Sequence, residues 1–288
     1  GGQPVPDREG RRRLRDHRAA GRRLRRTASM TTLDIQLIPG PDDWGRLREA
    51  SLVVDGSDFG ALWVCDHLAG YSMSSTTMLE AWSWLGALAE ATRRVELGVL
   101  VMNASNRSPA VGLVAAASIA RISGRRFHLG LGAGTSPRSS FAREQVATST
   151  PIASPMAARH ARLEEVLDLA DRMWDPDRGP EFDTFPSLDE RPRIIVGVNS
   201  LELARIAGAR ADGINVRWTS PEALDQLKVA QEAAVGRPFE LTAYTVYEDG
   251  ISDPDHPVRR SVEAAGVDRL VITFIGVPEA RELEQFGS

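Results

Sequence analysis

The sequence predicts an α/β protein built as a closed (β/α)8 TIM barrel, and three observations lead there. Strand-like apolar runs alternate with stretches at helical spacing, giving eight strand–helix pairs in about 255 residues. The clearest run, residues 61–65 (ALWVC), is continuously apolar, as a strand covered on both faces should be. No GxGxxG turn followed by a ribose-binding acid supports the competing open, doubly wound sheet.

The elements follow in order. Residues 33–38 (LDIQLI) make a first strand, stopped by Pro39-Gly40. Asp42 caps a helix through Trp44, Leu47, Leu52 and Val53 that ends near Asp55-Gly56. The 61–65 run is the second strand. A helix over 77–91 carries Leu79, Trp82, Leu85, Leu88 and Ala89 on one face. Residues 95–102 (VELGVLVM) make the third strand. Pro109 opens the next helix in its first turn, and Ser123-Gly124 ends it. Residues 127–134 (FHLGLGAG) are a fourth strand running into a glycine turn. Residues 135–155 are rich in Ser, Thr, Ala and Pro and have no period, which reads as a lid, a binding loop or disorder. An amphipathic helix over 156–174 and a polar connection over 175–191 follow. The alternation then resumes with strands at 193–198, 212–216, 240–247 and 268–274, and helices at 201–209, 221–234, 257–265 and 278–286.

A chain of 288 residues supports one large core. No apolar run approaches the roughly 20 residues needed to span a bilayer. Cys65 is the sole cysteine, so no internal disulfide can form, and a reducing, cytoplasmic setting is expected. Its apolar surroundings make it a small core residue rather than a nucleophile. The net charge of −4 is uneven: residues 1–29 carry ten Arg against Asp7, Glu9 and Asp16, or +7, leaving −11 for the rest. This head is expected to be a disordered leader upstream of a natural start at Met30, with a single barrel domain over 30–288. Binding to nucleic acid or an acidic membrane is the competing reading of so basic a segment; neither partner is expected of the barrel.

In such a barrel the loops after the strands form one rim, where chemistry collects. Asp66 and His67 end the second strand. A carboxylate beside an imidazole there tunes or orients a proton-transferring histidine, or else the pair caps and packs the next segment. Gly130, Gly132 and Gly134 alternate at the end of the fourth strand and either admit a flat ring or phosphate or allow tight packing. Val198-Asn199-Ser200 opens a helix directly after a strand, so its amides either bind an anion or are capped by a side chain. Arg107 is a ligand-binding or a solvated cation. Tyr71 and Trp218 contact substrate or pack on the surface. His128, inside a strand, and His160, inside a helix, read as structural. No His/Cys/Asp/Glu cluster has metal-ligand spacing, and no Ser-His-Asp arrangement is evident.

Four stretches in order carry a resemblance: ALWVCDHL, LGVLVMNASNRSPA, SGRRFHLGLGAGTSP and IIVGVNSLELARIAGARADG. Together they resemble the bacterial luciferase-like superfamily, and most closely its branch using the deazaflavin coenzyme F420, over residues 33–286. The resemblance implies a TIM barrel with a flavin or deazaflavin at the carboxyl rim and hydride transfer at the ring's C5 or N5. It places His67 beside the ring as proton donor or acceptor, with Asp66 as the neighbouring acid. It puts a non-prolyl cis peptide at Leu100-Val101 behind the ring, and phosphate contacts at Gly132, Gly134, Thr135, Gly197, Val198, Asn199 and Ser200. Tyr71, Asn103 and Trp218 are the candidate substrate contacts. A homodimer is implied. Departures matter: the family's sugar-phosphate dehydrogenases carry an acid where this chain has Thr135 and tryptophan where it has Tyr71, so a sugar phosphate is not expected. The loop over 138–155 and the region after Glu248 are shorter than usual, which implies a more open pocket or a lid from a partner subunit. Lys228 is the only lysine, so cofactor anions must pair with Arg or backbone amides. The expected activity is F420-dependent hydride transfer to or from a small organic substrate. The alternatives are an FMN-dependent monooxygenase using O2 and a non-catalytic flavin-binding protein.

Overall fold

A computed structural model describes residues 30–38, 44–73, 75 and 77–286. Eight parallel strands close into a barrel in chain order: β1 (Thr32–Ile38), β2 (Ala61–Val64), β3 (Glu96–Asn103), β4 (Phe127–Gly132), β5 (Arg193–Gly197), β6 (Gly213–Arg217), β7 (Glu240–Val246) and β8 (Arg269–Ile275). The β1–β8 pairing closes the ring, so no strand is left with an open edge. Around it lie α1 (Trp44–Gly56), α2 (Ala81–Ala91), α3 (Pro109–Ser123), α4 (Ala142–Ala147), α5 (Met156–Met173), α6 (Leu201–Arg210), α7 (Ala223–Ala233), α8 (Pro257–Ala264) and α9 (Ala280–Phe286). The expected (β/α)8 barrel is the observed one. Among the described residues no helix is long and apolar enough to cross a membrane.

Two local expectations are corrected. The helix expected from residue 77 begins at Ala81, because the Glu80 carboxylate accepts the Ser83 amide at 2.8 Å and caps it there. The stretch expected to be irregular over 135–155 contains α4, a single short helix whose importance emerges below. The expectations for residues 1–29, Pro39-Gly40 and the Asp42 cap lie outside the described residues.

The barrel interior is charged at its N-terminal end. There the Arg269 guanidinium reaches Asp34 at 3.1 Å, Glu96 at 2.7 Å and Glu240 at 2.8 Å. His128 Nε2 lies 2.7 Å from Glu96, so its structural role holds. Trp63 sits above this plug and donates its indole N–H to Asp34 at 2.9 Å. Gly98 makes room for the indole, since a Cβ there would lie 2.6 Å from the ring. The N-terminal end of the barrel is thereby filled by side chains.

At that end β3 is irregular. Its register against β4 shifts between Val99 and Met102, and the Leu100–Val101 peptide is cis, at the expected position. Gln36 Nε2 donates to the Leu100 carbonyl at 2.6 Å, and Thr273 fixes the amide by donating to Gln36 Oε1 at 2.8 Å. The glycines of β4 serve this bulge. A Cβ on Gly130 would collide with the Val99 carbonyl oxygen, and one on Gly132 would lie 2.6 Å from the Val101 side chain. Gly197 yields to the same valine, at 2.8 Å. Both β4 glycines thus make room for the bulge.

Candidate active site

The carboxyl rim encloses a cavity of about 670 Å³, within the usual range of roughly 300–1,000 Å³ for small-molecule sites. Asp66 and His67, Leu100 and Val101, Asn103, Gly132, Gly134 and Thr135, and Gly197, Val198 and Asn199 all border it. These residues come from four loops and strand ends far apart in sequence, and barrel closure brings them together. Ser200, Tyr71 and Trp218 do not line it. The Ser200 hydroxyl accepts the Leu203 amide at 3.2 Å and caps α6. The Trp218 indole donates to Ser261 of α8 at 3.0 Å, which turns it toward the helical layer. Tyr71 lies under the Arg143 guanidinium, 4.6 Å from ring centre to cation.

The partner of His67 differs from the expectation. Asp66 is buried and held by Arg107, with contacts of 2.5 and 3.2 Å, and it accepts the Asn103 amide at 3.3 Å. Arg107 also meets Glu80 at 2.8 Å and lies over the Trp82 ring, so it is neither solvated nor free for a ligand. Asp66 thus clamps the third-strand loop, and the acid on the imidazole is Glu144 of α4, whose Oε1 lies 3.2 Å from His67 Nδ1. The other oxygen of Glu144 accepts the amides of Leu68 and Ala69 at 2.9 and 3.3 Å. Burial works to raise the Glu144 carboxyl, but the His67 hydrogen bond and charge and the two amides outweigh it and lower it. An ionised carboxylate can only accept, so Nδ1 carries the proton and Nε2 is the nitrogen left for exchange. Phe141 stacks on the imidazole at 4.8 Å between ring centres and completes its seat.

Several lining residues escaped the sequence reading. Gln36, Phe141, Arg159, His160 and Tyr244 all border the cavity. His160 was expected to be structural; it is largely buried, yet it faces this space. Cys65 belongs to the core as expected but also forms part of the cavity wall, and burial pushes its thiol up to about 12. Among the described residues no group of His, Cys, Asp and Glu could hold a metal ion.

The sequence profile of the luciferase-like monooxygenase family matches residues 20–263. The chain belongs to that family. An F420-dependent glucose-6-phosphate dehydrogenase of Amycolatopsis mediterranei is 27% identical to this luciferase-like chain over 184 residues, 60% of this chain and 53% of that protein. The chain spans about half the length of the curated relatives it matches. Among solved structures, an F420-dependent secondary alcohol dehydrogenase in complex with an F420–acetone adduct superposes with a TM-score of 0.71 at 16% identity, covering 90% of this chain and 98% of that one. Monooxygenase RslO1 from Streptomyces bottropensis superposes with a TM-score of 0.66 at 17% identity, covering 89% and 96%. These structural matches establish the barrel fold.

Proposed function

We propose that this chain is an oxidoreductase that transfers a hydride between coenzyme F420 and a small organic substrate. The observation that carries the reading is His67, held by the buried Glu144 and bordering a cavity whose adjoining wall is the Leu100–Val101 bulge. The residues present suit such a cofactor. Leu100 and Val101 offer an apolar back wall, while Asn199 at the start of α6 and Arg159 offer donors for a phosphate. When bound, the deazaflavin supplies or accepts the hydride at C5. His67 Nε2 gives a proton to, or takes one from, the substrate atom next to the carbon exchanging the hydride. Glu144 holds the imidazole in the tautomer this needs and offsets its charge when protonated. The names of several relatives, which are F420-dependent dehydrogenases, point the same way.

The second reading, a monooxygenase using reduced FMN and O2, is favoured by the family's description and by the likeness to RslO1. Fluorescence-quenching titration separates the two. F420 is expected to bind at least about tenfold more tightly than FMN, a difference of roughly 1.4 kcal/mol; FMN binding as tightly or better overturns the F420 reading.

Glu144→Gln keeps the shape of the contact but removes its charge. Turnover is expected to fall about tenfold or more, with the F420 dissociation constant unchanged and Glu144→Asp recovering part of the loss. A parallel loss of cofactor affinity and thermal stability, with kcat per folded enzyme intact, would make Glu144 merely a loop brace.

A further inference from the structure

We propose that the cavity wall formed by Arg217, Thr219 and Tyr244 is a carboxylate-binding subsite, and that the substrate is a small organic acid whose carboxylate docks there. The inference rests on the proposed reaction for the word substrate, but the subsite itself is tested without any cofactor.

Register places these groups. Strands β6 and β7 pair Asn215 with Thr242 and Arg217 with Tyr244. Residues two apart on a strand share a face, and parallel partners point the same way. Asn215 Nδ2 donates to Thr242 Oγ1 at 2.8 Å inside the barrel, and Tyr244 packs against the interior cluster of Leu100, Ile195 and Val271. Arg217 therefore stands one layer above Asn215 on the same inward face, and both it and Tyr244 border the cavity.

The arginine stands exposed at the rim. Its Nε donates to Thr219 Oγ1 at 3.0 Å, which leaves the two Nη groups available. Among the described residues no carboxylate pairs with it, in contrast to Arg107, Arg126, Arg191, Arg210 and Arg269. The carboxylates bordering the cavity are accounted for: Asp66 is held by Arg107, and Glu248 is half exposed with His256 at 3.8 Å. The Tyr244 hydroxyl likewise has no hydrogen-bond partner among the described residues. Burial raises its pKa against the opposing pull of Arg217, so it remains a donor. A planar fork beside a phenol matches a monoanionic carboxylate. One cation matches a dianionic phosphate less well. Beside this pair, Tyr247, stacked on Phe274 at 4.6 Å, and Ile275 supply a surface for an aromatic or aliphatic body.

Fluorine NMR with para-trifluoromethylbenzoate and its neutral counterpart para-trifluoromethylbenzamide tests this on the full chain. The benzoate is expected to bind and the benzamide to bind at least about tenfold more weakly, the discrimination one charge-assisted hydrogen bond provides. Arg217→Gln should weaken the benzoate by about tenfold and Arg217→Lys by less. Equal binding of the two probes to the wild type, or an unchanged benzoate affinity in Arg217→Gln, overturns the proposal. If Arg217→Gln does not fold, Tyr244→Phe decides: a loss of about threefold confined to the benzoate supports the subsite, and no loss refutes it. Inorganic phosphate displacing the benzoate more strongly than acetate does also refutes the carboxylate assignment. F420 titration of the same samples separates the two conclusions, since the benzoate can bind where F420 fails, and the reverse.

Discussion

His67→Ala is expected to lower turnover by about 10²–10⁴-fold, the range a positioned general acid or base contributes, while the F420 dissociation constant changes by no more than about threefold. The split follows from geometry. The imidazole is seated by Glu144 at 3.2 Å and the stacked ring of Phe141. The bulge and the start of α6, which provide the cofactor's back wall and phosphate donors in the proposed reading, do not depend on it. Stopped-flow turnover and equilibrium quenching on one preparation separate the two quantities. Wild-type turnover in the variant would remove His67 from the mechanism, and a loss confined to cofactor affinity would make it a binding group.

Arg269→Met is expected to cost about 3–5 kcal/mol of stability, as does removal of one member from a buried ionic cluster. Arg269 meets three carboxylates on three strands, β1, β3 and β7. Without it, Asp34 would keep only the donors from Trp63 and the Ala61 amide, at 2.9 Å each. Burial already pushes the Asp34 carboxyl up, and the Arg269 charge is foremost among the groups opposing that shift. The urea midpoint measures the change; a midpoint within about 0.5 kcal/mol of wild type, the scatter of ordinary surface substitutions, would show that the cluster is replaceable. Acid titration gives an independent check through Glu96. Burial alone would raise its carboxyl, but His128, Arg269 and Arg126 bring it down to about 2. A carboxyl depressed on folding stabilises fully above its ordinary value of 4.5, and that contribution fades as the pH falls toward 2.

Much of this was legible in the sequence, for local reasons. Apolar runs such as 61–65 show their burial directly, and each βα unit encodes its own alternation, so the barrel follows from counting units. The Asp66-His67 pair marks itself by an abrupt change in polarity at a strand end. Glu144 had no such mark. It lies 77 residues from His67 in a segment without period, and its short helix matters through its docking on the loop after β2. Tyr244 was hidden because which of two faces a strand residue presents depends on register, and register is settled by closure of the whole ring. Trp218 went astray for the same reason; its neighbour Arg217 points inward, and the indole, one step on, points to α8.

The Val101 side chain rests in the space left by Gly132 and Gly197, and this divides the rim into two halves with different freedom to vary. On the arc from β3 to β5, any added carbon at either glycine displaces the valine, so a change there must be accompanied by another. Across the mouth, Arg217 and Thr219 stand exposed at the end of β6. New chemical tastes can be acquired on that side by single substitutions, while the side that frames the bulge stays as it is.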